Sequence, residues 1–242
     1  MKTLVTGARG CLGTELCKRL DNPIKLCGDI RNPESISKEV FDAVIHAAAV
    51  KRNCSPEEIE SVNVYGTKTV LDYCETIKPK DIKLISSSEV YNNHPYGASK
   101  LRMEQLSKNY NLPICCIRLP TLWGSKSSLL DTWLIQAKDG LPLNLYTFNG
   151  KTKKKFFMTL HEAADYCVFQ KHKSTDWPIC KVIDVEILAT IISDKFGVNI
   201  NRIETTGDHY EFLDKSYCSA DFQSVSYEDV DRILISIGAY NK

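Results

Sequence analysis

Apolar residues recur along the first half of the chain in short runs that alternate with longer segments of helical period. The short runs cover residues 3–6, 24–27, 43–47, 82–86 and 114–119, and the helical segments cover residues 12–20, 59–77 and 101–110. Short continuous apolar runs predict strands that are buried on both faces, and their alternation with helices is typical of a parallel sheet. The sequence therefore predicts an α/β fold with helices on both faces of the sheet.

Beyond Trp123 the pattern is less regular, and it predicts further helices. These cover residues 129–138, 160–170, 185–196 and 227–237. Because ligands of open parallel sheets bind beyond the carboxyl ends of the strands, a small region beside the sheet can close over that crevice. We therefore expect a sheet region at residues 1–124 and, at residues 125–242, a small substrate-binding cap that is interleaved with the sheet rather than independent.

Composition and charge describe an ordinary globular protein. The 242 residues are 43% hydrophobic and 25% charged, with a net charge of +1, so the basic excess of nucleic-acid-binding proteins is missing. The first residues lack the apolar core of a signal peptide, and no later stretch has the length of a membrane span. These features predict a cytoplasmic protein without nucleic-acid or membrane partners.

Cysteine is frequent but has no metal-binding spacing. The ten cysteines are scattered, none forms a CxxC pair, and Cys115 and Cys116 lie inside an apolar run. Paired ligand spacing is what distinguishes a structural zinc site, and it is missing here. We expect reduced thiols, most of them buried, and no metal site.

A glycine-rich turn follows the first predicted strand and opens the first predicted helix. The sequence TGARGCLG places glycines at positions 7, 10 and 13. In this context they serve a tight turn, a close approach of backbone to pyrophosphate, and close packing of helix on strand. The turn therefore predicts a dinucleotide site, although by itself it says little about the reaction.

A serine, a tyrosine and a lysine have the spacing of a catalytic group. Ser87 ends the predicted strand at residues 82–86, and Tyr96 and Lys100 begin the helix that follows. Residues four apart share one helix face, so the Lys100 ammonium can lie beside the Tyr96 phenol. A nearby cation favours the phenolate and makes Tyr96 a usable general acid or base.

These motifs together resemble the extended short-chain dehydrogenases. HAAA at residues 46–49, Asn63 and RLP at residues 118–120 match the family's strand end, its structural asparagine and the strand after the catalytic helix. The resemblance covers residues 1–124 and implies a Rossmann-type doubly wound parallel sheet that binds NAD(P). It implies cofactor contacts by Gly7, Arg9, Gly10, Leu12, Gly13, Asp29, Ile30, Arg31, Ala47, Ala48, Lys51, Tyr96, Lys100 and Leu119.

The choice between NAD and NADP depends on the second strand. Residues 20–29 are too few for the usual helix between strands two and three, and Asp29 is the only good candidate for the acidic ribose ligand. In extended family members the comparable Asp contacts the adenine end instead. Arg9 and Arg31 could pair with a 2′-phosphate, which favours NADP over NAD, unless they are plain surface arginines.

One branch of the family, the UDP-N-acetylglucosamine 4,6-dehydratases, is the most similar. Its members include enzymes that also invert carbon 5. The similarity lies in the nine positions from Ser87 to Tyr96, in Lys51 after the alanines, and in GSKSS, IQAKDGLPL and KKFFMTLHEAADY, which extend it to about residue 170. The resemblance implies substrate contacts by Ser88, Thr121, Lys126 and Lys155, although solvated loop residues are the alternative for the lysines.

The strand end departs from this branch. Where the branch carries Thr-Asp-Lys for water loss, this chain has Ser87, Ser88 and Glu89. Glu89 resembles the Glu that serves as base in the GDP-mannose and dTDP-glucose dehydratases. We therefore interpret Ser87, Tyr96, Lys100 and Glu89 as the catalytic set, with a solvated loop carboxylate as the alternative for Glu89.

Two other functions share these motifs. A reductase of 4-keto-6-deoxy nucleotide sugars would use the same Ser, Tyr and Lys, and would consume NADPH. A non-enzymatic NADP-sensing protein could be built on the same fold, because fold alone does not imply catalysis. Whichever function applies, members of the family commonly pair through two helices, which here cover residues 59–77 and 96–110. The resemblance therefore predicts a homodimer or a larger homo-oligomer.

Overall fold

The computed structural model describes residues 1–36, 39–51, 53–92, 94–125, 128–169, 175–176, 178–205, 222–236 and 239. The chain divides into two compact units. The first comprises Met1–Leu119 and His161–Pro178, and the second comprises Pro120–Leu160 and Ile179–Lys242. The expected border after residue 124 lies close to the first of these boundaries, whereas His161–Pro178 belongs to the first unit.

The elements alternate along the chain. The strands are β1 (Thr3–Thr6), β2 (Pro23–Leu26), β3 (Ala43–His46), β4 (Asp81–Ser87), β5 (Ile114–Leu119), β6 (Thr121–Trp123), β7 (Leu143–Thr147), β8 (Lys154–Thr159), β9 (Thr175–Asp176), β10 (Cys180–Asp184), β11 (Ile200–Glu204) and β12 (Phe222–Ser224). The α-helices are α1 (Cys11–Arg19), α2 (Pro56–Glu60), α3 (Thr67–Ile77), α4 (Pro95–Ser107), α5 (Leu129–Lys138), α6 (Leu160–Phe169), α7 (Val185–Phe196) and α8 (Tyr227–Ser236).

The first unit contains a parallel sheet. Its strands follow the order β2-β1-β3-β4-β5-β9, and each neighbouring pair is parallel. Every residue of β1 and β3 is buried, as continuous apolar strands between two helical layers require. The predicted α/β class and parallel sheet are confirmed.

On the β2 side, this sheet has fewer strands than the usual dinucleotide-binding sheet, whose strand order is 3-2-1-4-5-6. Among the described residues, β2 is the only strand on its side of β1, to which it is directly paired. The usual order has two strands on that side. The described residues between α1 and β3 hold β2 and the 3-10 turn Pro33–Ser35, and they hold no second strand or α-helix.

The helical segment predicted at residues 59–77 is divided into three pieces. Helix α2 is followed by a π-helical stretch, Ser61–Gly66, and then by α3. Such π-helical turns are rare and often lie at functional sites. The interruption places Asn63 fully inside the protein, where its side chain bonds the Val50 backbone and the Ser99 hydroxyl.

Helix α4 begins earlier than the apolar period of residues 101–110 predicted. Pro95 occupies its first turn, and the His94 side chain caps it by accepting from the Gly97 N–H. Proline is favoured at this position because its missing N–H has no partner in a helix anyway. Tyr96 and Lys100 therefore lie within the first two turns of α4.

The second unit has a core of its own. Its strands form a mixed sheet in the order β12-β10-β8-β6 and a parallel pair, β11-β7. Trp123 stacks on Phe157 with ring centroids 3.5 Å apart, and α5, α7 and α8 bury their apolar residues in the same cluster. The helices predicted here, α5, α7 and α8, are confirmed, as is α6, most of which belongs to the first unit. Strands β6, β7, β8, β10, β11 and β12 were not predicted, because they are short and contain polar residues.

Some features concern the described residues alone. None of the helices there is long and apolar enough to cross a membrane. No group of three or more potential metal ligands was found among them. No disulfide joins the described cysteines, and Cys74, Cys115, Cys116, Cys167 and Cys180 are buried.

Candidate active site

Ser87 lies at the carboxyl end of β4, and its hydroxyl is already oriented. Its Oγ accepts from the Glu89 N–H at 3.2 Å, which caps the short 3-10 turn Ser88–Tyr91. Since an accepted bond leaves the hydroxyl proton unused, Ser87 can donate to an oxygen that approaches the strand end. Ser88, the predicted substrate contact beside it, is buried.

Lys100 is fully enclosed by the first unit. Its side chain reaches β4, where Nζ donates to the Ile85 carbonyl at 2.8 Å, and 2% of the residue is exposed. Burial lowers the pKa of Lys100 to about 8, because an ammonium loses its hydration there. A lysine in these surroundings exchanges protons near neutral pH.

Glu89 is held by two side chains from the turn that precedes α4. Asn92 Nδ2 donates to Glu89 Oε2 at 2.6 Å, and His94 Nε2 lies 2.8 Å from the same oxygen. Because the Gly97 N–H donates to His94 Nδ1, the ring proton of a neutral His94 is on Nε2, and that nitrogen donates to the carboxylate. Because both donors bond Oε2, they fix the orientation of the Glu89 carboxylate.

His94 also lies beside Tyr96. The two rings are stacked, with centroids 6.2 Å apart and an interplanar angle of 14°. One side chain thus caps α4, orients Glu89 and packs against the Tyr96 ring. The sequence reasoning missed His94 and Asn92, although a polar residue directly before Pro95 is a helix-cap signal that could have drawn attention to His94.

Gly97 allows this arrangement to be compact. A Cβ at Gly97 would lie 2.1 Å from the Glu89 carbonyl oxygen and 2.7 Å from that of Asn92. Both are backbone atoms, which cannot rotate away as a side chain can. The close approach of α4 to the Ser88–Tyr91 turn therefore requires glycine at this position.

Behind this turn, a buried ion pair joins α4 to β5. Arg118 donates to both carboxylate oxygens of Glu104, at 2.8 Å and 2.6 Å, and Ser86 donates to the same carboxylate at 2.5 Å. The Arg118 guanidinium lies over the Tyr91 ring, 5.2 Å from its centroid. These contacts hold the strand end and the helix in one arrangement.

The glycine turn fits a dinucleotide. Gly7 has φ +66°, and a Cβ there would lie 2.7 Å from the Ala48 backbone. A Cβ at Gly13 would lie 2.1 Å from the Gly7 carbonyl oxygen, whereas one at Gly10 would meet that oxygen at 3.2 Å and no other atom within 4 Å. The outer side of the turn is therefore open to a phosphate at the start of α1.

The two arginines predicted to select NADP have different surroundings. Arg31 pairs with Asp29 at 2.6 Å and with Glu58 at 3.2 Å. The hydrogen bonds that Arg31 donates to Asp29 lower the pKa of Asp29. Arg9 donates to the carbonyl of Cys27, just after β2. The charge of Arg31 is thus balanced by carboxylates, whereas Arg9 bonds a neutral carbonyl.

A cationic cavity of about 510 Å³ lies between α1 and the end of β2. Its lining residues are Ala8, Arg9, Thr14, Cys17, Lys18, Lys25 and Cys27. Lys18 is paired with Glu15 at 2.6 Å, and among the described residues no carboxylate lies within ion-pair distance of Lys25. Arg9 and Lys25 therefore leave the cavity positively charged.

The remaining predicted contacts are placed as follows. Ile30 and Leu119 are buried, Leu12, Ala47 and Ala48 are half-buried, and Lys51 is exposed. Thr121 and Lys155 belong to the second unit, on β6 and β8, and both are half-buried. Lys126 lies outside the described residues.

Comparison with known proteins identifies a family. The family described as "Polysaccharide biosynthesis protein" matches residues 21–206, which is more than half of the chain. UDP-2-acetamido-2,6-beta-L-arabino-hexul-4-ose reductase of Pseudomonas aeruginosa is 28% identical over 142 residues, 52% of this chain and 37% of the relative. Capsular polysaccharide biosynthesis protein CapD of Staphylococcus aureus is 24% identical over 207 residues, 66% of this chain and 34% of the relative.

Solved structures share the fold. The dTDP-glucose 4,6-dehydratase of Bacillus anthracis, determined in complex with NAD, has a TM-score of 0.76 and 17% identity, over 100% of this chain and 97% of that one. At this identity the likeness shows the fold, which confirms the Rossmann-type expectation. The chain spans about a third of the length of the curated relatives it matches.

Proposed function

Because the chain belongs to the polysaccharide biosynthesis protein family, we propose that it is an enzyme that modifies a nucleotide sugar with a bound nicotinamide dinucleotide. The reaction we propose is the 4,6-dehydration of UDP-N-acetylglucosamine, with inversion at carbon 5 as a further possibility. The observation that supports dehydration is the carboxylate of Glu89, which lies 2.8 Å from Nε2 of His94, the residue whose ring stacks on Tyr96. The UDP moiety rests on sequence resemblance.

Tyr96 and Lys100 handle the proton of the sugar 4-hydroxyl in this proposal. Tyr96 takes that proton as a general base, and the buried Lys100 favours its phenolate. Ser87 donates to the same sugar oxygen from the end of β4. The nicotinamide ring, when bound, supplies the hydride acceptor and donor, and Gly7, Gly10 and Gly13 form the turn that would hold its pyrophosphate.

Glu89 acts on the ketone that follows oxidation at carbon 4. A 4-keto group makes the proton on carbon 5 acidic, and the Glu89 carboxylate, which Asn92 and His94 hold in place, removes it. The proton that Glu89 takes from carbon 5 passes to the hydroxyl that leaves carbon 6, so water departs and a double bond remains between carbons 5 and 6. A hydride held by the nicotinamide would then add to carbon 6, and a proton from solvent would add to carbon 5 as Tyr96 returns its own proton to solvent. In this scheme Ser88, Thr121, Lys126 and Lys155 contact the substrate.

A 4-keto-6-deoxy sugar reductase is the second candidate. It is favoured by the similarity to the Pseudomonas aeruginosa reductase. The same Tyr96 and Lys100 would then donate a proton to the 4-keto oxygen, and Glu89 would have no proton to remove from carbon 5. The two reactions differ in cofactor balance, because dehydration recycles the nicotinamide and reduction consumes NADPH.

The deciding experiment is incubation of the purified protein with UDP-N-acetylglucosamine without added cofactor. Dehydration predicts a product lighter by one water in the mass spectrum, and NMR then gives the configuration at carbon 5. If no water is lost, a 4-keto-6-deoxy nucleotide sugar with NADPH is tested for NADPH oxidation. Dinucleotide binding without turnover of either sugar would favour the NADP-sensing alternative.

Glu89→Gln separates the role of Glu89 from that of Tyr96. Because the amide cannot accept the carbon 5 proton, we expect dehydration to fall at least 100-fold, on the order of the contribution of one general base. Dinucleotide affinity should stay unchanged, as measured by calorimetry. Glu75→Gln, at an exposed carboxylate of α3, is the matched control, and a Glu89→Gln variant with normal turnover would remove Glu89 from the mechanism.

A further inference from the structure

A continuous line of hydrogen bonds connects the end of β1 to the catalytic helix through the interior of the first unit. The Ala48 N–H donates to Thr6 Oγ1 at 3.2 Å, and Thr6 Oγ1 lies 2.7 Å from His46 Nδ1. His46 Nε2 lies 2.9 Å from Thr67 Oγ1. Thr6, His46 and Thr67 are each 0% exposed, so water takes no part in these bonds.

The line continues into α4 through Asn63. Thr67 Oγ1 donates to the Asn63 carbonyl at 2.7 Å, and Asn63 Nδ2 lies 3.0 Å from Ser99 Oγ. Ser99 Oγ in turn donates to the Tyr96 carbonyl at 2.7 Å. The line therefore runs from Thr6, at the start of the glycine turn, to the backbone carbonyl of Tyr96, the proposed catalytic residue.

The direction of each hydrogen bond in this line follows from the two bonds in which a hydroxyl donates to a backbone carbonyl. The Thr67 hydroxyl has one proton and uses it on a carbonyl, so Thr67 can only accept from His46, and the proton of His46 must be on Nε2. His46 Nδ1 is then an acceptor, and the Thr6 hydroxyl donates to it. The same reasoning makes Ser99 the acceptor of the Asn63 amide.

We propose that His46 is a positioning residue, held as the neutral Nε2–H tautomer, which couples the dinucleotide turn at Thr6 and Ala48 to the position of Tyr96. The coupling deepens the proposed function and rests on it, whereas the tautomer does not. A protonated ring would put a second proton on Nδ1, facing the Thr6 hydroxyl. The Thr6 hydroxyl would then accept from Nδ1 as well as from the Ala48 N–H, and its own proton would lose the acceptor that it has in the neutral state.

The surroundings of His46 keep the ring neutral. Burial, with a contribution from the Lys100 ammonium on α4, lowers the pKa of His46 to about 3. The groups that bond the ring from β1 and α3 are the uncharged hydroxyls of Thr6 and Thr67. Within the described residues no carboxylate bonds the ring, so nothing there stabilises an imidazolium.

The tautomer is tested directly by nitrogen NMR of the full chain labelled with ¹⁵N-histidine. We expect the His46 ring to show a protonated Nε2 and an unprotonated Nδ1, unchanged from about pH 8 down to about pH 5. A protonated Nδ1, or a His46 titration in this range, would overturn the assignment. The experiment needs no substrate, so it stands even if the proposed reaction is wrong.

The coupling is tested with Thr67→Val and Thr67→Ser. Valine removes the acceptor of His46 and the donor to Asn63 at nearly constant volume, whereas serine keeps both bonds. We expect Thr67→Val to lower kcat about tenfold with the sugar KM within about twofold, and to shift the acid limb of the kcat–pH profile, while Thr67→Ser restores both. Equal kcat and an unmoved profile in folded Thr67→Val would show that the line is structural only.

A readout without turnover separates failure of the coupling from failure of the proposed function. In wild type, binding of the dinucleotide should shift the backbone amide signals of Tyr96 and Ser99 in NMR spectra, and in Thr67→Val these shifts should be smaller. Circular dichroism establishes that the variant is folded. If the dinucleotide leaves these signals in place in the wild type, or moves them equally in both proteins, the coupling is refuted.

Discussion

Lys100 is the residue whose surroundings depart furthest from those of an ordinary lysine. Its ammonium is enclosed between α4 and β4, bonded to a carbonyl, with the carboxylate of Glu104 one turn further along the helix. Burial of a charge is costly, and proteins keep such groups where chemistry needs a shifted pKa. The position of Lys100 in the helix that carries Tyr96 agrees with the proposed role in proton transfer.

The cost of burying Lys100 should appear in the pH dependence of stability. Its pKa is about 8 in the folded protein and 10.5 when exposed, so between these values the unfolded chain binds more protons and the free energy of unfolding rises with pH. We compare the free energy of unfolding in urea of wild type with that of Lys100→Met. From about pH 7 to about pH 10 the value for wild type should rise by about 2 to 3 kcal/mol relative to that of the variant. Lys108→Met, at the exposed end of the same helix, is the control substitution.

Arg9 and Arg31 can be distinguished by cofactor affinity. A 2′-phosphate would gain charge-assisted hydrogen bonds from Arg9 in the cationic cavity, whereas it would meet Asp29 and Glu58 beside Arg31. We expect Arg9→Met to weaken NADP binding about tenfold, or about 1.4 kcal/mol, with little effect on NAD.

The control is Arg31→Met, which should change NADP affinity less than Arg9→Met does. Calorimetry with adenosine 2′,5′-bisphosphate and with AMP isolates the 2′-phosphate from the rest of the cofactor. A larger loss in Arg31→Met would restore Arg31 as the selecting residue, and equal affinity of wild type for both cofactors would remove the NADP preference.

The start of α4 is the element on which the site depends. His94 caps it, Pro95 begins it, and Gly97 lets it approach the Ser88–Tyr91 turn. Packed directly against α4, the π-helical stretch Ser61–Gly66 brings Asn63 to Ser99 of that helix. Two irregular local structures, a capped turn and a π-helical stretch, thus fix the position of one regular helix.

Gly97→Ala tests the close packing of α4 on the Ser88–Tyr91 turn, because that packing decides whether the substitution raises or lowers the free energy of unfolding. In an unconstrained helix interior, alanine is more favourable than glycine by about 1 kcal/mol. Here the added Cβ would clash with two carbonyl oxygens, so we expect a loss of about 1 to 3 kcal/mol in the free energy of unfolding and a displaced Glu89. A Gly97→Ala protein that is more stable than wild type in urea would contradict the close packing.

At the scale of the whole molecule, each unit has its own apolar cluster. Residues of the parallel sheet and of its helices form one cluster in the first unit. The stacked Trp123 and Phe157 belong to the cluster of the second unit. The helices expected to mediate self-association lie in the first unit. They carry the exposed apolar side chains Tyr65, 62% exposed, and Leu101, 36% exposed.

We expect a homodimer that depends on these helices. Tyr65→Glu with Leu101→Glu would place two charges in the proposed apolar contact, and should convert a dimer to a monomer in light scattering. Ile235→Glu is the matched control, because Ile235 is exposed to 57% but lies on α8 of the second unit. A wild-type protein that is monomeric at micromolar concentration would refute the expectation.

The sequence by itself determined strands β1 to β5 and the presence of helices between them, because continuous apolar runs and a glycine turn are local signals. It missed the two-residue strand β9 and the π-helical interruption at Ser61–Gly66. It also pointed to Ser87, Tyr96 and Lys100, since their spacing along the chain reflects one strand end and one helix face. The strands of the second unit escaped it, because they are short and contain polar residues, and the pairing of such strands depends on distant partners.

Only the tertiary structure decided what surrounds each group. The pairing of Arg31 with Glu58, the contact of Lys100 with the Ile85 carbonyl, and the proton on His46 Nε2 all depend on residues that are remote in sequence. Burial and hydrogen-bond direction are properties of packed neighbours in space. For that reason the chain supports a prediction of which residues form the site, whereas their protonation and pairing follow only from the folded structure.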